Sequence, residues 1–290
     1  MGKALTVFTP AYNRAALLGR AYESLVRQTN KDFEWIVVND GSTDETDAVM
    51  QRFIDEGKLD ITYVRQPNGG KHRAINKGVE SAGGYLFMIL DSDDYLSDDN
   101  VVADIVSHIP FLESDDNFCA VVGNKIHEDG NVIGTSTDKE VIDTNFLDYR
   151  EKYRIKGDRA EIIKTSVMRQ YPFPEIEGEK FCSEGLVWNR MAQRYKARYV
   201  NRPYMKCEYL PGGLSDSIKR LRSSSPEAFM NFYAEYVTYG VPLKSKIKNA
   251  MCYWAVFFKS RKKWAEAVRR MGIYTIFMPA GWLLHKTGRL

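Results

Sequence analysis

The feature that most constrains this chain is a recurrence within its first 96 residues. A short apolar run is followed by a loop rich in Gly, Asn, Asp or Pro, and then by apolar residues at helical spacing. Ala4–Phe8, Phe33–Val38, Ile61–Val64 and Tyr85–Leu90 read as strands. Ala15–Gln28, the stretch that Thr43 or Asp44 caps and that runs to Asp55, and Ala74–Ser81 read as helices. The loops are Thr9-Pro10-Ala11-Tyr12-Asn13, Asn39-Asp40-Gly41-Ser42, Gln66-Pro67-Asn68-Gly69-Gly70 and Asp91-Ser92-Asp93-Asp94. Strand–loop–helix units repeated in this way give right-handed crossovers and a parallel sheet. In such sheets ligands bind beyond the carboxyl ends of the strands. All four loops lie there.

That placement gives the loops chemical meaning. Carboxylates two residues apart at a strand end, as in Asp91-Ser92-Asp93, can converge on one hard cation such as Mg²⁺ or Mn²⁺. The competing reading is a solvated acidic turn capping the helix after Ser97. Asp40 is suited to a ribose hydroxyl or a base N–H, or else serves a turn in which Gly41 takes a positive φ. Tyr12 is suited to stacking beside a base. Gly69 and Gly70 allow close backbone approach, and Lys71 is suited to a phosphate.

The order and spacing of these stretches resemble the family 2 glycosyltransferases. The likeness is clear through Ala4–Tyr95 and weaker to about Ser217. It implies the GT-A nucleotide-diphospho-sugar transferase fold, a Rossmann-like, mostly parallel α/β sheet, here with a C-terminal helical extension. It also implies an inverting transfer from a nucleoside diphosphate sugar to an acceptor hydroxyl, of the hexosyl or N-acetylhexosaminyl class. By the same resemblance Thr9, Pro10, Tyr12, Asn13, Asp40, Lys71, Asp91 and Ser92 bind the donor nucleotide, Asp93 ligates the metal directly, and Asp91 assists it. Two departures stand out. Ile75 occupies the place where many relatives carry an Arg, leaving Lys71 or Arg73 to supply the charge. Ser183-Glu184 replaces a Glu-Asp pair, which puts Glu184 on the catalytic-base position, with Arg190 six residues on and the aromatic Trp188 between. Glu179 is the competing base, and Glu184 has the rival reading of a helix N-terminal carboxylate.

The expected domains are 1–217, catalytic, with a nucleotide-sugar half (1–110) and an acceptor half (111–217), then 218–290, a basic aromatic-rich extension. In the acceptor half Phe118–Gly123, Asn131–Thr135, Ala197–Val200 and Tyr204–Tyr209 read as strands and Glu184–Arg194 as a helix. The 175–184 and 209–215 stretches are expected to shape the acceptor side. Charge divides the same way. Residues 241–290 hold 11 Lys and Arg against one acidic residue, Glu266, a net +10, whereas residues 1–240 carry a net −7. A basic segment interleaved with Trp and Phe suits a helix lying in an anionic membrane interface, or a helical subdomain with solvated charges. No apolar run reaches a spanning length of about 18 residues.

Cys119, Cys182, Cys207 and Cys252 fall in no zinc-ligand spacing. The five-residue apolar run after Lys3 is too short for an export signal. The expected location is therefore cytoplasmic, peripheral at the inner face of the plasma membrane. The family resemblance implies as partners a nucleotide-sugar donor and a carbohydrate or lipid-linked acceptor of bacterial surface-polysaccharide synthesis, and no nucleic acid is expected. A sugar-nucleotide nucleotidyltransferase and a basic-tail nucleic-acid-binding protein are the alternatives. The first lacks its Gly-rich loop after the first strand, and the second does not account for the acidic body.

Overall fold

The computed structural model describes residues 2–207 and 218–288. The chain forms two compact units, Met1–Pro172 with Arg194–Tyr209, and Phe173–Gln193 with Leu210–Leu290.

The first unit follows the strand–helix alternation: β1 (Leu5–Ala11), α1 (Leu18–Val26), β2 (Phe33–Asn39), α2 (Thr46–Glu56), β3 (Ile61–Arg65), α3 (Lys71–Ser81) and β4 (Leu86–Ile89). Then come β5 (Tyr95–Leu96), α4 (Val101–Ser107), α5 (Ile109–Ser114), β6 (Phe118–Ile126), β7 (Val141–Thr144), α6 (Phe146–Glu151), β8 (Arg159–Lys164), α7 (Thr165–Gln170) and β9 (Lys196–Lys206). The strands form a nine-stranded sheet in the order β3-β2-β1-β4-β8-β6-β9-β5, with β7 also on β9. The first four are parallel. Beyond β4 the pairing is mixed: β8 is antiparallel to β4 and β6, and β9 is parallel to β6.

The near-continuous apolar run of β2 is what a strand covered on both faces requires. All of its residues but Glu34 are buried. Edge strand β3 has no fully buried residue. On one face Trp35, Tyr22 and Phe53 stack, with the Tyr22 and Phe53 rings 4.0 Å apart. On the other, α3 lies so close to the sheet that a Cβ at Gly78 would stand 2.3 Å from the Phe8 ring. That approach fixes the start of α3 at the strand ends.

Three expectations about elements are corrected. Asn131–Thr135 is not a strand and makes one bridge, Ile126 to Val132. Gly134, at φ 85°, turns the chain, and the Arg159 guanidinium takes the carbonyls of Ile133 and Thr135. The two strands expected at 197–200 and 204–209 are one, β9, because register shifts against β6 absorb the intervening residues. β1 runs on to Ala11, so Thr9 and Pro10 are strand residues paired with Val37 and Val38. Residues 209–215, expected on the acceptor side, and the boundary at Ser217 lie outside the described residues.

The second unit contains α8 (Glu184–Met191), α9 (Ile218–Ser224), α10 (Pro226–Tyr236), α11 (Leu243–Phe257), α12 (Trp264–Met271), a 3-10 turn (Gly272–Phe277) and α13 (Met278–Thr287). Phe229, Tyr233, Tyr253, Trp254, Phe257 and Met271 form its core. Phe181 stacks on Phe229 at 5.4 Å, which explains why segment 173–193 groups with these helices and not with the sheet. Gly281 lets α13 close on α11: a Cβ there would meet the Trp254 Cβ at 2.4 Å. The opposite side of the 3-10 turn and α13 is apolar and exposed, with Ile273 at 76%, Ile276 at 69% and Leu283 at 57%. Among the described residues no helix is long and apolar enough to cross a membrane.

Candidate active site

The carboxyl ends of β1, β2, β3 and β4 hold four loops, and their polar side chains bind one another. Asn13, at φ 53°, donates its N–H to Ser42 Oγ (2.9 Å), and its Oδ1 accepts from the Thr43 N–H (2.8 Å). Asn39 fastens the same turn, its Oδ1 accepting from the Ser42 N–H at 2.8 Å. Its Nδ2 donates to Asp47 and to the Tyr63 hydroxyl. Asp40, 4% exposed, turns its carboxylate to the third loop. Oδ1 accepts from the Gly69 N–H and Gln66 Nε2, both at 2.8 Å, and Oδ2 from the Gly70 N–H at 2.7 Å. The amide pair is presented by Gly70 at φ 97°, a conformation that excludes most side chains. Asp40 thus shapes the loop that starts α3.

Tyr12 projects to solvent at 47% exposure, and Pro10 is half-buried. Thr9 is fully buried, and its hydroxyl accepts from the Trp35 indole N–H at 2.9 Å. The two cations weighed for the Ile75 departure make different contacts. Arg73 folds back on the Gly69 carbonyl (2.6 Å), whereas Lys71 Nζ reaches Asp91 Oδ1 at 2.7 Å. Ile75 itself is core.

The acidic turn after β4 sorts its three carboxylates by partner. Asp91 pairs with Lys71. Burial alone would raise its pKa, but the charges of Lys71 and Lys125 hold it below the usual carboxylate value. Asp94, 6% exposed, pairs with Lys125 at 2.9 Å. Burial disfavours a charged ammonium at Lys125, yet Asp94 and Asp91 keep its pKa well above the ordinary lysine value. Asp93 is half-buried, and among the described residues its carboxylate has neither a hydrogen bond nor an ion pair. Ser92 between them is buried. The Arg20 guanidinium donates to the Asp93 carbonyl at 3.0 Å.

These donors suit a hard divalent cation. Among the described residues Asp93 offers carboxylate oxygen without a competing cation, and Asp91 stands two residues away. Among the described residues no group of three or more His, Cys, Asp and Glu side chains could enclose an ion. Mg²⁺ or Mn²⁺ held by one or two carboxylates takes its remaining positions from water and substrate phosphates. Lys125 was not among the residues singled out from the sequence. The available signal was a lone charge in the apolar run Phe118–Ile126.

In the second unit Glu184 opens α8, where Ser183 accepts from the Gly185 N–H at 3.2 Å as N-cap. Arg190 forms a bidentate pair with Glu235 at 2.8 and 2.6 Å. Trp188 packs edge-on against Phe173. Glu179 is buried, and its two oxygens accept from the Glu227 and Ala228 N–H groups at 2.7 and 2.9 Å, capping α10.

The profile of glycosyl transferase family 2 matches residues 6–173, more than half of the chain. The chain is a family 2 glycosyltransferase. Its similarity to a Campylobacter jejuni GalNAc(5)-diNAcBac-PP-undecaprenol beta-1,3-glucosyltransferase is 27% identity over 212 residues, covering 69% of this chain and 63% of that one. An uncharacterized glycosyltransferase of Haemophilus influenzae is 26% identical over 186 residues, covering 61% of this chain and 69% of that protein. About a third of each relative's length therefore lies outside the match. In fold, this glycosyltransferase resembles S. aureus TarS 1-349 in complex with UDP-GlcNAc, with a TM-score of 0.67 at 19% identity over 95% of this chain and 81% of that one. It also resembles the mannosyltransferase PcManGT from Pyrobaculum calidifontis in complex with GDP-Man and Mn2+, with a TM-score of 0.58 at 18% identity over 100% of this chain and 89% of that one. The α/β sheet with helices C-terminal to it is thus the GT-A glycosyltransferase fold, and the nucleotidyltransferase and nucleic-acid-binding alternatives give way to a glycosyltransferase enzyme.

Proposed function

We propose that this enzyme transfers a hexosyl or N-acetylhexosaminyl group from a nucleoside diphosphate sugar to an acceptor hydroxyl, with inversion, in bacterial surface-polysaccharide synthesis. The observation that carries the reading is the unequal pairing of the acidic turn. Lysines occupy Asp91 and Asp94 and leave the carboxylate of Asp93 to a cation. Asp93 would hold Mn²⁺ or Mg²⁺, with Asp91 assisting. When bound, the ion supplies Lewis-acid stabilisation of the departing diphosphate. Lys71 exchanges its carboxylate partner for a donor phosphate oxygen. Tyr12, Pro10 and Asp40 receive the nucleoside, Asn13 and Ser92 fixing the surrounding loops. Glu184 takes the acceptor proton. The use of both Glu179 oxygens as a helix cap supports Glu184 over Glu179 for that role.

The polysaccharide context is supported by the Campylobacter relative, whose name specifies a polyprenyl-linked acceptor. In this reading the enzyme meets a lipid-linked acceptor at the inner face of the plasma membrane. The second unit offers a surface for that attachment. Ile273, Ile276, Pro279 and Leu283 form one exposed apolar row, since residues three apart in a 3-10 turn and four apart in an α-helix share a face. Exposed Arg261, Lys263, Arg269, Arg270 and Lys286 accompany it, and no acidic residue follows Glu266. Each such cation near an anionic leaflet is worth about 1 kcal/mol.

Turnover of UDP-, GDP- and dTDP-sugars with Mn²⁺ tests the activity and identifies the donor. Absence of both hydrolysis and transfer across that set overturns the reading. Co-sedimentation with phosphatidylglycerol vesicles tests the membrane surface: binding at low salt, lost in Ile273→Ser/Ile276→Ser, is expected. No sedimentation of the unmodified chain overturns it.

A further inference from the structure

We propose that Lys125 is a positioning residue, fixing the acidic turn so that Asp93 is held where a divalent cation is bound. The inference rests on the reading of Asp93 as metal ligand.

The sheet order explains why such an anchor is needed. The chain leaves β4 at Ile89 and re-enters the sheet as β5, beyond β8, β6 and β9. Residues 90–94 therefore cross the ends of three strands, and this crossing segment carries all three aspartates. Beyond Leu90, whose N–H still donates to the Phe8 carbonyl of β1 (2.8 Å), the segment has no ladder partner among the described residues. It is fastened by the Lys71–Asp91 pair (2.7 Å), by the turn bond from the Asp94 N–H to the Asp91 carbonyl (3.0 Å) and by the Arg20 contact with the Asp93 carbonyl (3.0 Å). Lys125 adds a link from the far side of the turn, at Asp94, to β6. It is the penultimate residue of β6, the middle of the three crossed strands, and it pairs in register with Met205 of β9. Its Nζ stands 2.9 Å from Asp94 Oδ2, with 13% and 8% of the two side chains exposed. Asp94 directly follows Asp93, so the ammonium ties down the residue beside the ligand. It also removes one of three like charges crowded within four positions.

A lysine that only screened charge would weaken cation binding, and its removal would tighten it. A positioning lysine has the opposite sign. Mn²⁺ alone is titrated into the full chain and free Mn²⁺ is read by electron paramagnetic resonance. Lys125→Met and Asp94→Asn are each expected to weaken binding about 10–100-fold, the usual effect of removing a partner that orients a metal ligand. The double variant should cost no more than the worse single one, because both break the same link. Lys125→Arg should rescue most of the affinity. The Mn²⁺ half-saturation of donor hydrolysis should rise in parallel, with donor KM at saturating Mn²⁺ little changed. Unchanged or tighter Mn²⁺ binding in Lys125→Met overturns the assignment, as do additive effects of the pair. If Lys125→Met fails to fold by thermal melt, Asp94→Asn decides, and unchanged binding there overturns it. If the unmodified chain binds no Mn²⁺, the metal reading of Asp93 itself falls, a result distinct from failure of Lys125 alone.

Discussion

At the strand ends of the sheet unit, polar side chains are directed at neighbouring loops. Asn13 meets Ser42 and Thr43, Asp40 meets Gly69 and Gly70, Lys71 meets Asp91, and Lys125 meets Asp94. In the helical unit buried Glu179 closes the start of α10 and half-buried Arg190 and Glu235 tie α8 to α10, while the 3-10 turn and α13 present apolar side chains to solvent. The contrast separates two ways of using charge. One fixes loops with respect to each other so that a single carboxylate is left over. The other stabilises packing and leaves cations and isoleucines facing outward.

The contrast breaks most severely at Asp93. Asp93→Ala should abolish metal-stimulated turnover, and a Mn²⁺ titration of activity that is unchanged from the parent would remove the residue from the metal site. Glu184→Gln comes next, with a loss of about 10²–10⁴-fold in turnover, the range for a general base. Donor affinity measured by calorimetry should hold steady; full turnover in this variant would disqualify Glu184. Asp40→Ala sharpens the loop half of the comparison. It leaves the Gly69 and Gly70 amides without their acceptor and should cost about 1–3 kcal/mol, read as a lower melting temperature together with weaker donor binding. Glu179→Ala probes the packing half. Losing the cap should lower stability by about 1 kcal/mol while kcat stays within a few-fold. A collapse of kcat at unchanged stability would instead make Glu179 the base.

Away from both halves of the comparison, a pH dependence is expected at Glu161, a β8 residue that sequence patterning does not single out. Burial pushes its carboxyl up to about 7 from the ordinary 4.5. A raised folded-state value means the protonated form is favoured by folding. The contribution is complete below about 4.5 and is lost as pH rises through about 7. Glu161→Gln should therefore raise the melting temperature more at pH 8 than at pH 5, and equal shifts at both would contradict it.

Much of the first unit was legible because its signal is local. A buried parallel strand must be apolar on both faces, and a loop that turns at a strand end must carry Gly, Asn, Asp or Pro, so β1 to β4 and the helices between them are marked residue by residue. Beyond β4 the signal weakens. β7 and β8 pair with partners distant in sequence, and Asn131–Thr135 has strand-like composition but loses its ladder to Gly134 and Arg159. The site was legible as a set of loops, not as a set of contacts. Thr9 reads as a loop residue, yet its hydroxyl belongs to Trp35.

The sequence by itself determined the strand–loop–helix order, the acidic turn at the end of β4, the family, and the split between an acidic body and a basic end. These follow from hydrophobic period, turn chemistry and counted charge, all properties of neighbouring residues. Only the tertiary structure decided which aspartate each lysine meets, that Asp40 is clasped by two glycine amides, that Glu179 caps α10, and which isoleucines remain exposed. Those outcomes depend on strands and helices far apart in sequence arriving within about 3 Å of one another, the range over which a hydrogen bond or buried ion pair discriminates.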